Sequence, residues 1–142
     1  MSATIGDALY YELSNAAAVS ALVGSRIYPA GDVPQNPTRP YIAWFKVDNI
    51  HARHQGGSSL LTQARFQLDA WAETGTAAEA IYEAVRGLLD NYAGELGDPA
   101  DSVTVRSCTL DTDSSGSAPP TGGGPRGPQR QTMDFLIWYR EE

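Results

Sequence analysis

Apolar residues recur every fourth position at the start of the chain, at Ile5, Leu9 and Leu13. That spacing predicts an amphipathic helix from about Thr4 to Asn15. Ser2 or Thr4 caps it, Asp7 sits in the first turn where the helix dipole favours it, and Gly6 weakens its start. A second short helix, about Ala17 to Val23, stops at Gly24. Arg26 to Tyr28 reads as extended and ends at Pro29, and Gly31 to Arg39, with Pro34 and Pro37, reads as a surface loop. Pro40 disfavours the helical region for Arg39, so the next segment begins extended.

Tyr41 to Val47 and Gln63 to Ala72 carry strand composition. The polar stretch Asp48 to Thr62 between them, with Gly56-Gly57-Ser58-Ser59 at its tip, reads as the loop of a long hairpin. Thr76 to Tyr92 predicts the longest helix. Thr76 and Glu79 stand at capping-box spacing, Ile81, Val85, Leu88 and Leu89 form the apolar stripe, and Gly94 comes after it. Gly97 to Asp101 reads as a turn, and Val103 to Leu110 and Gln131 to Arg140 as two further strands. Asp111 to Arg130, rich in Ser, Gly and Pro, lacks the apolar residues to bury a core and reads as a flexible loop. The expected fold is α+β, one domain over 1–142 with helices on one face of a mostly antiparallel four-stranded sheet, in the order α-α-β-β-α-β-β.

Alternation along the strands sorts side chains into two faces. Phe66, Leu68 and Ala70 oppose Arg65, Gln67, Asp69 and Trp71, and Met133, Phe135, Ile137 and Tyr139 oppose Thr132, Asp134, Leu136, Trp138 and Arg140. On the first strand Tyr41, Ala43, Phe45 and Val47 oppose Ile42, Trp44 and Lys46. Assigning the more apolar parity to the helix side leaves Trp44, Trp71 and Trp138 together on the other face. A solvated face favours Thr, Lys and Glu, whereas Trp beside Arg is the composition of an interface centre. Two readings stand: another element of the same chain covers the rings, or a neighbouring subunit does. The interface candidates are Trp44, Trp71, Trp138, Arg65 and Arg140.

Net charge is −7, from 17 acidic residues against nine Arg and the lone Lys46. Phosphate contacts supply most nucleic-acid affinity, so this balance argues against a sequence-reading DNA binder. No apolar run approaches the roughly 18 residues of a membrane helix. The opening Met1-Ser2-Ala3-Thr4 lacks a secretory leader pattern, so a cytoplasmic protein is expected before any assembly.

The single Cys108 excludes an internal disulfide and reads as a half-buried strand residue. His51 and His54 offer two imidazoles three apart, with Asp48 as the nearby carboxylate, too few ligands for zinc. Gly122-Gly123-Gly124-Pro125-Arg126-Gly127 has no Lys-Ser/Thr and no helix after it, so it is no phosphate loop. Asp111 and Asp113 lack EF-hand spacing. No catalytic residue, cofactor or metal site is expected.

One family is matched nearly end to end. The residues that carry the match are Val19-Ser20-Ala21-Leu22-Val23-Gly24, Arg26-Ile27-Tyr28-Pro29, Arg39-Pro40-Tyr41-Ile42, Arg65 to Ala72, Ala80-Ile81-Tyr82 and Met133 to Tyr139. Together they resemble the tail-completion (tail-terminator, tail-to-head joining) proteins of long-tailed phages and gene-transfer particles. The resemblance implies a small α+β protein that forms a ring, a hexamer in that family. The ring caps the tail tube at its head-proximal end, stops its growth and presents a surface to the head-tail connector. It implies partners that are proteins: the chain itself, tail-tube protein and connector proteins, with DNA only passing through the lumen. It implies no catalytic residues. The segment Asp111 to Arg130 is long for the pattern. A head-side connector or minor tail protein of the same virion region is the alternative.

Overall fold

The computed structural model describes residues 4–35, 38–54, 57–100, 102–117 and 128–140, with the backbone alone for 30, 49–54, 57–60 and 117. Helices α1 (Ile5–Asn15) and α2 (Ala17–Val23) open the chain. Strand β1 (Ile27–Pro29) and a 3-10 turn (Ala30–Asp32) come after them. Strands β2 (Tyr41–His54) and β3 (Gly57–Ala72) form a hairpin, and helix α3 (Gly75–Leu89) comes next. Strands β4 (Tyr92–Leu96), β5 (Val103–Ser117) and β6 (Gln129–Arg140) complete one six-stranded sheet in the order β1-β2-β3-β6-β5-β4.

The α+β class stands, but the sheet has six strands rather than four. All neighbours are antiparallel except β1 and β2, which run parallel. The polar stretch 48–62 is not a loop in its described part, because β2 runs to His54 and β3 starts at Gly57. Ladder hydrogen bonds need no apolar side chains, so a polar hairpin is extended once its base is fixed. In the same way β5 continues to Ser117 and pairs with the start of β6 from Asp134 back to Gln129. Of the expected loop 111–130, residues 118–127 lie outside the described residues.

Three helix ends have an identifiable cause. Thr4 Oγ1 accepts from the Asp7 amide at 3.1 Å, and Asp7 Oδ2 accepts from the Thr4 amide at 3.2 Å, a reciprocal capping box on α1. The α3 cap is Thr74, two residues before the expected Thr76, with its hydroxyl accepting from the Ala77 amide at 3.1 Å. That helix stops at Leu89 rather than reaching Tyr92. Asn91 takes a positive φ of 64°, its amide donates to the Cys108 carbonyl at 2.7 Å, and Asp90 Oδ1 accepts from the Leu110 amide at 3.0 Å. The chain leaving α3 is thereby turned onto β5 as β4.

The core lies between the helices and one sheet face. Ile5, Leu9 and Leu13 of α1, Val19 and Val23 of α2, and Ile81, Val85 and Leu89 of α3 pack on Phe66, Leu68, Met133, Phe135 and Ile137. Helix α1 lies close to the turn after β4. A Cβ on Gly97 would come within 2.9 Å of the Ala8 Cβ, the Gly97 φ is 102°, and its amide donates to Glu12 Oε1 at 3.1 Å. Glycine is required there on both counts.

Both outer strands are poor templates for a further strand. Strand β1 has three residues and ends in Pro29, and β4 has five, with a register shift between Tyr92 and Gly94. Gly94 has a φ of 132°.

Candidate functional site

Directly paired residues of an antiparallel ladder project to the same side of the sheet. Ile42 opposes Ala70, Trp44 opposes Leu68 and Lys46 opposes Phe66, so Trp44 faces the helices. Its ring lies 6.1 Å from that of Phe66, and a Cβ on Gly6 of α1 would come within 3.2 Å of it. The expectation that all three tryptophans share the helix-free face is therefore corrected for Trp44, which α1 of its own chain covers. The start of β2 gives no parity signal because Tyr41, Ile42 and Ala43 are all buried, on both faces.

The other four candidates do share the helix-free face. Trp71 opposes Tyr41 and Arg130, Arg65 opposes Leu136, Gln63 opposes Trp138, and Leu61 opposes Arg140. They do not form one cluster. Trp71 and the partner of Trp138 stand eight residues apart on β3, about 26 Å at a rise of about 3.3 Å per residue.

The middle of the face is polar and mostly paired within itself, with Asp134 Oδ1 buried and unpaired. Arg65 Nη1 lies 2.8 Å from Asp111 Oδ2 and 3.7 Å from Asp134 Oδ2, and Asp48 is its neighbour on β2. The hydrogen bond to Asp111 and the three carboxylates hold the Arg65 guanidinium above its ordinary pKa. Asp69 Oδ1 accepts from Thr132 at 2.8 Å and from Gln67 at 3.3 Å, and Asp134 Oδ2 accepts from Thr112 at 3.2 Å.

One end of the face holds a row of rings. Tyr28 of β1 lies 6.1 Å from Tyr41, centroid to centroid, and Tyr41 stacks on Trp71 at 6.5 Å and 19°. The Arg130 guanidinium sits 5.5 Å from the Trp71 centroid. The row is built by the two motifs that flank the proline-rich loop. Ile27 pairs with Ile42, the Ile42 amide donates to the Arg26 carbonyl at 3.0 Å, and Arg26 Nε donates to the Pro40 carbonyl at 2.8 Å. The Arg39–Pro40 peptide is cis, and Arg39 pairs with Glu73 at 2.8 Å. Strand alternation alone does not single out Tyr28, Tyr41 and Arg130. Their signal lies in the two motifs Arg-Ile-Tyr-Pro and Arg-Pro-Tyr, whose meeting across a parallel pair no local pattern announces.

Burial, with Asp90 nearby, pushes the Cys108 thiol up to about 12, far from a reactive thiolate at neutral pH. Among the described residues no group of three or more His, Cys, Asp or Glu is placed to hold a metal ion. His51 and His54 fall on β2, and their side chains lie outside what is described. Asp113 accepts from the Tyr82 hydroxyl at 2.8 Å, which raises the Tyr82 pKa after burial has done the larger part. A groove of about 770 Å³ opens beside that pair, between the first turns of α3 and the β5–β6 hairpin. No described helix is long and apolar enough to cross a membrane.

The family model described as tail completion protein gp17 matches residues 7–139, which takes in every helix and strand but for the tips of α1 and β6. No curated protein matches the chain. Among solved structures, a chain from the virion of a native gene transfer agent particle has a similar fold. The TM-score is 0.74 at 19% identity, over 96% of this chain and 94% of that one.

Proposed function

Because the chain belongs to the tail completion protein gp17 family, a family of structural tail proteins, we propose that it closes the tail tube. In this reading several copies assemble as a ring, probed first as a hexamer, on the last ring of tube protein at the head-proximal end. The ring ends polymerisation and offers its far side to the head-tail connector. The partners are the chain itself, tube protein and connector proteins, and DNA passes through the lumen without being read. The protein is free in the host cytoplasm before assembly and has no enzymatic activity.

The observation that carries the reading is the length of the family match, because 7–139 includes both sheet faces as well as the helices. The helix-free face adds support. It leaves Trp71, Trp138 and Leu136 half-buried, apolar area that a contact with another subunit would cover. The test is mass by light scattering with and without isolated tail tubes, beside electron microscopy of tail lengths. Ring-sized mass on tube ends and tails of uniform length are expected. Tails of normal length formed without the protein would overturn the reading, and binding to isolated heads but not to tubes would move it to the connector side.

A further inference from the structure

We propose that the row Tyr28–Tyr41–Trp71–Arg130 seats a carboxylate of a second copy of this chain, and so forms one half of a contact between subunits. The inference deepens the ring reading above and rests on it. Tyr41 and Trp71 stack, Tyr28 stands tilted against Tyr41 at 56°, and the row ends in the Arg130 guanidinium, 5.5 Å from the Trp71 centroid. Arg130 Nε is buried and makes no hydrogen bond, and Arg130 has no ion pair among the described residues. A guanidinium beside an indole with its Nε unpaired has donors left for a planar, two-toothed acceptor, which is the geometry of a carboxylate.

Three acids of the same face are already engaged. Asp111 and Asp134 attend Arg65, and Asp69 accepts from Thr132 and Gln67. The partner group therefore comes from outside the face. A second copy has carboxylates in surplus, 17 acidic residues against 10 basic ones, and Glu79 and Glu83 stand exposed one turn apart on α3.

Charge also decides how the copies meet. Two rows facing each other would bring Arg130 against Arg130. The complementary arrangement joins this row to a different surface of the next copy, a head-to-tail contact of the kind that closes into rings. Position 116 on β5 agrees with a free guanidinium. Gly116 pairs with Arg130, and a Cβ there would lie 3.1 Å from an Arg130 terminal nitrogen, so glycine leaves the group its place.

The experiment is light scattering and sedimentation over a concentration series, with circular dichroism on each variant. Wild type is expected to self-associate, less tightly when salt is raised from about 0.1 M to about 1 M, where screening is short-ranged. Arg130→Glu is expected to stay folded and weaken association about a hundredfold, and Arg130→Gln about tenfold, since truncating one partner of a desolvated pair acts on dissociation. Gly116→Ala, which keeps every member of the row and pushes the guanidinium by a few tenths of an ångström, is expected to fall between wild type and Arg130→Gln. Association of Arg130→Gln and Gly116→Ala at wild-type strength would overturn the inference, whether or not Arg130→Glu folds. So would a wild type that stays monomeric alone yet binds tail tubes through Arg130, because the occupant would then be tube protein. Tail-length assays separate the two readings: normal termination by Arg130→Gln with unchanged ring mass removes this contact alone, whereas wild-type protein without effect on tails removes the ring reading as well.

Discussion

At the residue scale, similar side chains take opposite roles according to the face they occupy. Trp44 is packed under α1 against Phe66, with its indole nitrogen buried and unpaired, whereas Trp71 is an exposed-face ring stacked on Tyr41. Trp44→Ala is expected to cost about 3–5 kcal/mol of stability, as a large-to-small change in a core does. Trp71→Ala should leave the fold intact and impair assembly. Urea denaturation beside a tail-completion assay separates the two, and equal destabilisation by both would sink the distinction. Cys108 supplies a pH dependence. Its thiol titrates near 9 when unfolded and at about 12 when folded, so the unfolded state gives up its proton first. The contribution is fully present below about pH 9 and is lost as pH rises towards 12, on the order of 4 kcal/mol in all. Tyr41, Tyr82 and Tyr92, each raised mainly by burial, act in the same direction. Cys108→Ala should therefore flatten part of the alkaline fall in the denaturation midpoint, and an unchanged slope would contradict the assignment.

At the scale of elements, the sequence marks most of what is apolar and little of what is tied by backbone alone. Helices α1 and α2 and the bases of the long strands are legible because Ile5, Leu9 and Leu13 keep one period and Phe66, Leu68 and Ala70 another. Strand β4 is not, because Tyr-Ala-Gly-Glu-Leu shows no alternation and is made a strand by Asn91 turning it onto Cys108. The start of α3 departs from expectation for a related reason. Both Thr74 and Thr76 suit a cap, and the difference lies in which one keeps extended backbone, Thr74 with φ −129° and ψ 156°. Thr74→Ala should cost about 1 kcal/mol, with Thr76→Ala nearly neutral, and thermal denaturation of the pair checks it. Element contacts also rest on single small residues. Gly97→Ala forces a Cβ into Ala8 at a positive φ and should destabilise by about 2–3 kcal/mol or more. A stability close to wild type would mean that α1 does not press on the turn after β4.

At the scale of the whole molecule, three helices cover one side of a sheet that is open on the other, and the candidate surface lies on the open side. That division is legible in outline, since Arg65, Trp71, Trp138 and Arg140 carry the expected parity. The joining of Tyr28, Tyr41 and Arg130 into the row is not, because it depends on the parallel pairing of β1 with β2 and on the β3–β6 register. The two outer strands have a further consequence. A sheet of six strands with long, flat margins would recruit like strands without limit. Here one margin is three residues closed by a proline and the other is broken at Gly94. Concentrated protein should accordingly form assemblies of fixed size and no thioflavin-positive fibres over days of incubation, and fibre growth from the native state would contradict this. A chain whose family work is completion would then carry, in its own strand margins, a refusal to be extended.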